Sequence, residues 1–68
     1  MKILDARGLS CPEPVILLRQ AMASKEAEYT LLVDNHASKE NVTRFAEHQG
    51  YKVSLEVNNG EYTLNLKK

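Results

Sequence analysis

The chain has a single cysteine, no tryptophan and only three glycines in its 68 residues. One thiol excludes an internal disulfide, a Cys-x-x-Cys redox pair and a resolving thiol. A lone unpaired cysteine fits a reducing compartment, so a cytoplasmic location is expected. Gly8, Gly50 and Gly60 stand far apart, which leaves no glycine-rich loop to cradle a phosphate. An excess of either charge is also missing. Nine basic and nine acidic residues cancel, so there is no electrostatic case for nucleic acid or a membrane surface as a direct partner. No apolar run approaches the ~20 residues needed to span a bilayer, and the opening "MKILDARG" lacks the layout of a signal peptide. His36 and His48 have no cysteine or carboxylate cluster around them. They read as solvated residues of one helix, with no metal site and no cofactor expected. Residues 1–68 form one domain, with a core limited to what a chain hiding ~60% of its extended surface can build.

What is present is a run of short elements. "KILD" is a first strand, left by a turn at Arg7-Gly8. Pro12 suits the first turn of a helix, where its missing N–H costs nothing, and Pro14 falls in the same turn. On this reading Cys11 is the N-cap residue, with Ser10 as its competitor. Val15, Leu18 and Met22 recur at helical spacing, Leu17 and Ala21 widen the stripe, and the helix ends near Ser24. "YTLLVD" is a second strand. Asn35 or Ser38 caps a second helix with Val42, Phe45, Ala46 and Gln49 inward and Gly50 just past its end.

"YKVSLEV" and "EYTLNL" alternate apolar and polar around "NNG". A two-residue type I′ turn at Asn59-Gly60 sets Val57 opposite Tyr62, Leu55 opposite Leu64 and Val53 opposite Leu66. Glu56–Thr63, Ser54–Asn65 and Lys52–Lys67 then share the other face, and a slip of one residue would break the match. The order β-α-β-α-β-β, with one apolar stripe per helix, predicts an α/β (α+β) two-layer sandwich. Two helices pack on one face of a four-stranded mixed sheet, and the first two strands are parallel. Leu32 points opposite Leu31 and Val33, which suggests a sheet edge or a partner surface.

Cys11 is the one strong nucleophile candidate. Its thiolate is the reactive form, and a helix N-terminus favours negative charge. The magnitude limits the effect: ~0.3–1 kcal/mol at an exposed helix end lowers a thiol pKa by about 0.2–0.7. Arg7 would add to this, and Asp5 and Glu13 would oppose it. Such a thiol can accept a group from an enzyme that supplies the activation, and is a poor catalyst alone. The plainer alternative is a small buried hydrophobe in a binding or regulatory module. A Cys-His pair is not marked by anything in the sequence. Tyr29, Tyr51, Tyr62 and Phe45 read as core or strand-pair residues, and Glu40–Arg44 as a surface pair of little energetic weight.

"LDARGLSCPEPVILLRQAM" resembles the opening of TusA-like proteins, the SirA/YedF group. Leu4, Asp5, Gly8, Leu9, Cys11, Pro12, Glu13 and Pro14 fit its strand, Asp, Gly-Leu and Cys-Pro-x-Pro pattern. "LLVDNHASKENVTRFAEHQGYKV" is most similar to the N-terminal domain of YedF-type proteins. The resemblance implies a sulfur carrier rather than a stand-alone turnover enzyme. Cys11 would accept sulfur as a persulfide from a cysteine desulfurase and pass it to an acceptor protein, as in a relay toward tRNA thiolation. Asp5, Gly8, Pro12, Glu13 and Pro14 would shape the site, and Arg7 would contact the thiolate or a partner. The partner surface is expected around Cys11, Arg7, Glu13 and the exposed side of the first helix, on a monomer. The YedF likeness also raises selenium handling on the same cysteine.

Overall fold

Asn59 and Gly60 both take positive φ, 52° and 80°, as a type I′ turn requires. The flanking strands are β3 (Lys52–Asn58) and β4 (Glu61–Lys67). They pair antiparallel in the register read from their alternation, with Val57 opposite Tyr62, Leu55 opposite Leu64 and Val53 opposite Leu66. The computed structural model describes residues 2–10 and 12–68. Its remaining elements are β1 (Lys2–Asp5), α1 (Glu13–Met22), β2 (Glu28–Val33) and α2 (His36–His48).

The four strands form one mixed sheet in the order β1-β2-β4-β3. β1 and β2 run parallel, and β2 pairs antiparallel with β4. Leu31, Val33, Leu64 and Leu66 turn to the helix-covered face, where they are buried with Leu18, Val42 and Ala46. The other face carries Thr30, Thr63 and Asn65, and the Thr30 hydroxyl donates to Asn65 Oδ1 at 3.1 Å. Leu32 lies on that face, half-buried in the interior strand β2 between Asp5 and Thr63. The edge position suggested by its pattern is therefore corrected. An apolar residue gains cover from its cross-strand neighbours even on a wet face.

α2 begins as expected from Asn35, whose side-chain oxygen accepts from the Ser38 amide at 2.8 Å. It ends at Gln49, with Gly50 in the left-handed region at φ 90°. Gln49 itself is exposed and does not join the inner face. Glu40 pairs with His36 at 3.4 Å rather than with Arg44.

α1 starts later than its sequence suggests. The N-cap residue is Pro12, and among the described residues no side chain caps the helix. Within Pro-Glu-Pro only Glu13 has an amide to offer, and it donates to the Ser10 carbonyl at 2.9 Å. The expected N-cap role of Cys11 is thus taken by Pro12, and Cys11 itself lies outside the described residues. Pro14 does more than stiffen this turn, because it is among the fully buried side chains.

At the far end of the sheet the Tyr29 hydroxyl donates to the Ala21 carbonyl at 3.0 Å and accepts from the Glu26 amide at 3.1 Å. The Tyr51 hydroxyl donates to the Glu26 carbonyl at 2.9 Å, and the two rings pack 5.8 Å apart. Both tyrosines are core residues, as the sequence suggested, and burial raises the Tyr51 pKa.

Candidate functional site

The segment between β1 and α1 is held by its neighbours at the C-terminal ends of the parallel strands. The Ala6 amide donates to the Leu32 carbonyl at 2.8 Å, and Leu9 closes a turn onto the Ala6 carbonyl at 3.3 Å. Gly8 occupies the turn's third position at φ 81°, a conformation that a side chain would strain. Its amide donates to Asp34 Oδ2 at 2.8 Å. The Asn35 side chain reaches the Leu9 carbonyl at 3.5 Å while its oxygen caps α2. Asp34-Asn35 therefore ties the segment leading to the cysteine to the start of the second helix.

Asp5 and Arg7 form the charged part of this end. Arg7 Nε donates to Asp5 Oδ1 at 2.9 Å, and Nη2 donates to Oδ2 at 2.9 Å. The Arg7 backbone amide adds a third bond to Oδ1 at 3.1 Å. These bonds hold the Asp5 pKa at about 2, the guanidinium contributing most. Arg7 Nη1 also reaches Glu61 at 3.3 Å, across from the start of β4. Its pKa is raised further by the two carboxylates. The guanidinium is thus oriented by Asp5 and Glu61.

Pro12 and Glu13 are exposed at the start of α1, whereas Pro14 is buried. Pro12 and Val15 form one wall of a shallow groove of about 390 Å³, with Asn41, Arg44, Phe45 and His48 of α2 as the other. The Arg19 guanidinium lies 5.6 Å from the centre of the Phe45 ring. A larger hollow of about 490 Å³, lined by Met22, Lys25, Glu26, Ala27, Gln49, Tyr51 and Lys68, sits at the opposite end, away from the Cys-Pro-x-Pro motif. The groove beside Pro12 is the one adjoining the motif. No group of three or more metal-ligating side chains occurs among the described residues, and no helix among them is long and apolar enough to cross a membrane.

The structure brings together Asp5, Arg7 and Gly8 of the predicted site and orders Pro12, Glu13 and Pro14 at the helix start. Asp34 and Glu61 were missed as site residues. Asp34 had a visible signal, an Asp-Asn pair directly after a strand. Glu61 had none, since it meets Arg7 from 54 positions away.

The family described as Sulfurtransferase TusA matches residues 2–68. A Methanocaldococcus jannaschii protein, named "Putative sulfur carrier protein MJ0990", is 35% identical over 71 residues, covering 100% of this chain and 95% of its own. The crystal structure of a SirA-like protein from Desulfitobacterium hafniense superposes with a TM-score of 0.86 at 38% identity, covering 98% of this chain and 96% of that one.

Proposed function

Since the chain belongs to the TusA-like sulfur-carrier family, we propose that Cys11 carries sulfur as a persulfide between a cysteine desulfurase and an acceptor protein. The observation that carries this reading is the placement of the chain's one cysteine. It directly precedes the Pro12 N-cap, in a family match that runs from residue 2 to 68.

The chemistry needs little from the carrier. The Cys11 thiolate attacks the terminal sulfur of the donor's persulfide. One S–S bond forms, the donor's S–S bond breaks, and the donor cysteine leaves as a thiolate that takes up a proton. No oxidant is consumed, because the transferred sulfur is already in the sulfane state. A second thiol attack, at the acceptor, reverses the loading. Pro12 and Pro14 lack amide hydrogens, so few local donors compete for the sulfur. The tether through Gly8, Asp34 and Asn35 supports the idea of a thiol presented on a fixed framework. A relay toward tRNA thiolation is consistent with this chemistry.

Incubation with a cysteine desulfurase and cysteine, followed by intact-mass measurement, tests the reading. A reductant-labile gain of one sulfur is expected on Cys11 and absent from Cys11→Ser. No gain on folded, reduced protein, or an equal gain in Cys11→Ser, would overturn it.

A further inference from the structure

β3 is an edge strand, and its outer side is open. Asn58 and Glu61 flank the two-residue turn, which makes them a hydrogen-bonded pair and points the even-numbered residues of β3 at β4. Val53, Leu55 and Val57 therefore turn their amides and carbonyls outward. None of the three makes a backbone hydrogen bond outside the strand pairing among the described residues. On the helix side of this edge, Leu55 is 44% exposed and Val57 is 65% exposed. Natural edges are commonly blunted by proline, a bulge, a covering loop or charged side chains, lysine above all. Of these devices β3 has only charges, Lys52 and Glu56. β3 has no proline, and its pairing with β4 runs unbroken from Lys52 to Asn58.

The charges on the open face point to the occupant. Lys52 lies opposite Lys67 within the chain, a like-charge pair, and Glu56 lies opposite Thr63. Neither Lys52 nor Glu56 makes an ion pair among the described residues.

We propose that β3 pairs antiparallel with β3 of a second copy of this chain, centred on Ser54, to form an eight-stranded sheet. This replaces the monomer expected from the sequence. In that register Lys52 faces the partner's Glu56 and Glu56 faces the partner's Lys52. Val53 meets the partner's Leu55 on the helix side, as an outward-facing hydrogen-bonded pair. The hydrogen-bonding phase allows neighbouring registers centred on Val53 or Leu55, but neither sets Lys52 against Glu56. The two-fold axis is normal to the sheet, so both helix layers stay on one face and the interface is isologous. The Tyr51 amide is already given to the Ala46 carbonyl, which limits the pairing to the centre of the strand. An interface this small falls below the ~1,000 Å² of stable complexes, so a dissociation constant of roughly 10–500 micromolar is expected.

Sedimentation velocity of Cys11→Ser protein in reducing buffer, up to about 1 mM, excludes disulfide dimers and reads this association directly. The expected result is a concentration-dependent dimer. Lys52→Glu and Glu56→Lys each place like charges opposite one another and should weaken it about tenfold or more. Mixing the two variants restores both opposite-charge contacts, so a heterodimer should form where neither variant self-associates. Both residues are exposed on the open face, and an unchanged circular dichroism spectrum would verify each fold. A protein that stays monomeric throughout, or a dimer indifferent to both variants and to their mixing, would overturn the proposal.

Discussion

Arg7 is shared between two carboxylates, and the consequence is a titration. Asp5 has a folded pKa of about 2 because the Arg7 guanidinium and the Arg7 amide both favour its charged form. An unfolded aspartate titrates near ~3.9. The folded value is the lower one, so the pair's stabilisation is present above pH ~4 and is lost as the pH falls toward 2. Both side chains are well exposed, so solvent and salt screen the pair. An NMR titration of the Asp5 carboxyl carbon should give a midpoint near 2 in the wild type. In Arg7→Met the midpoint should rise toward ~3.9. At this scale the sequence showed Asp5, Arg7 and Gly8 as neighbours. It did not show their long-range partners, because Asp34 and Glu61 meet the segment only after the sheet has assembled.

Among the elements, the hairpin was the most legible and the first helix the least. The hairpin's register follows from local facts: strict alternation on both strands and a turn that needs two positive φ values. Gly60→Ala tests this directly. A Cβ at Gly60 would meet nothing within 4 Å, so the cost comes from φ alone. At about 1–2 kcal/mol, thermal denaturation should shift down by about 4–16 °C. Gly60→Asn should cost less, since asparagine tolerates this conformation. The start of α1 was misread by one residue because capping rules assume donors in the first turn. Pro12 and Pro14 have none, and Glu13's amide goes to Ser10.

Across the whole molecule, the two-layer architecture was legible because each helix and the hairpin had one apolar side to bury. The strand order was less so, since β4 enters between β2 and β3 through contacts far apart in sequence. Leu64 sits at that centre, fully buried and flanked by Leu31 and Leu55. Leu64→Ala should cost about 2–5 kcal/mol. In a domain whose total stability scales at ~0.05–0.15 kcal/mol per residue, that is a large share. The melting temperature should fall by at least about 8 °C, with the native spectrum retained only well below the wild-type transition. The sheet also fixes where the chain can be handled. Lys2 pairs beside Tyr29, and Lys67 beside Glu28, so β1 begins and β4 finishes at the end of the sheet opposite Gly8 and Pro12. A tag, a tether to a biosensor chip or a fused reporter at either terminus would therefore leave the end that carries Gly8 and Pro12 facing solution. Immobilised protein should engage a docking enzyme in the same orientation whichever terminus is attached.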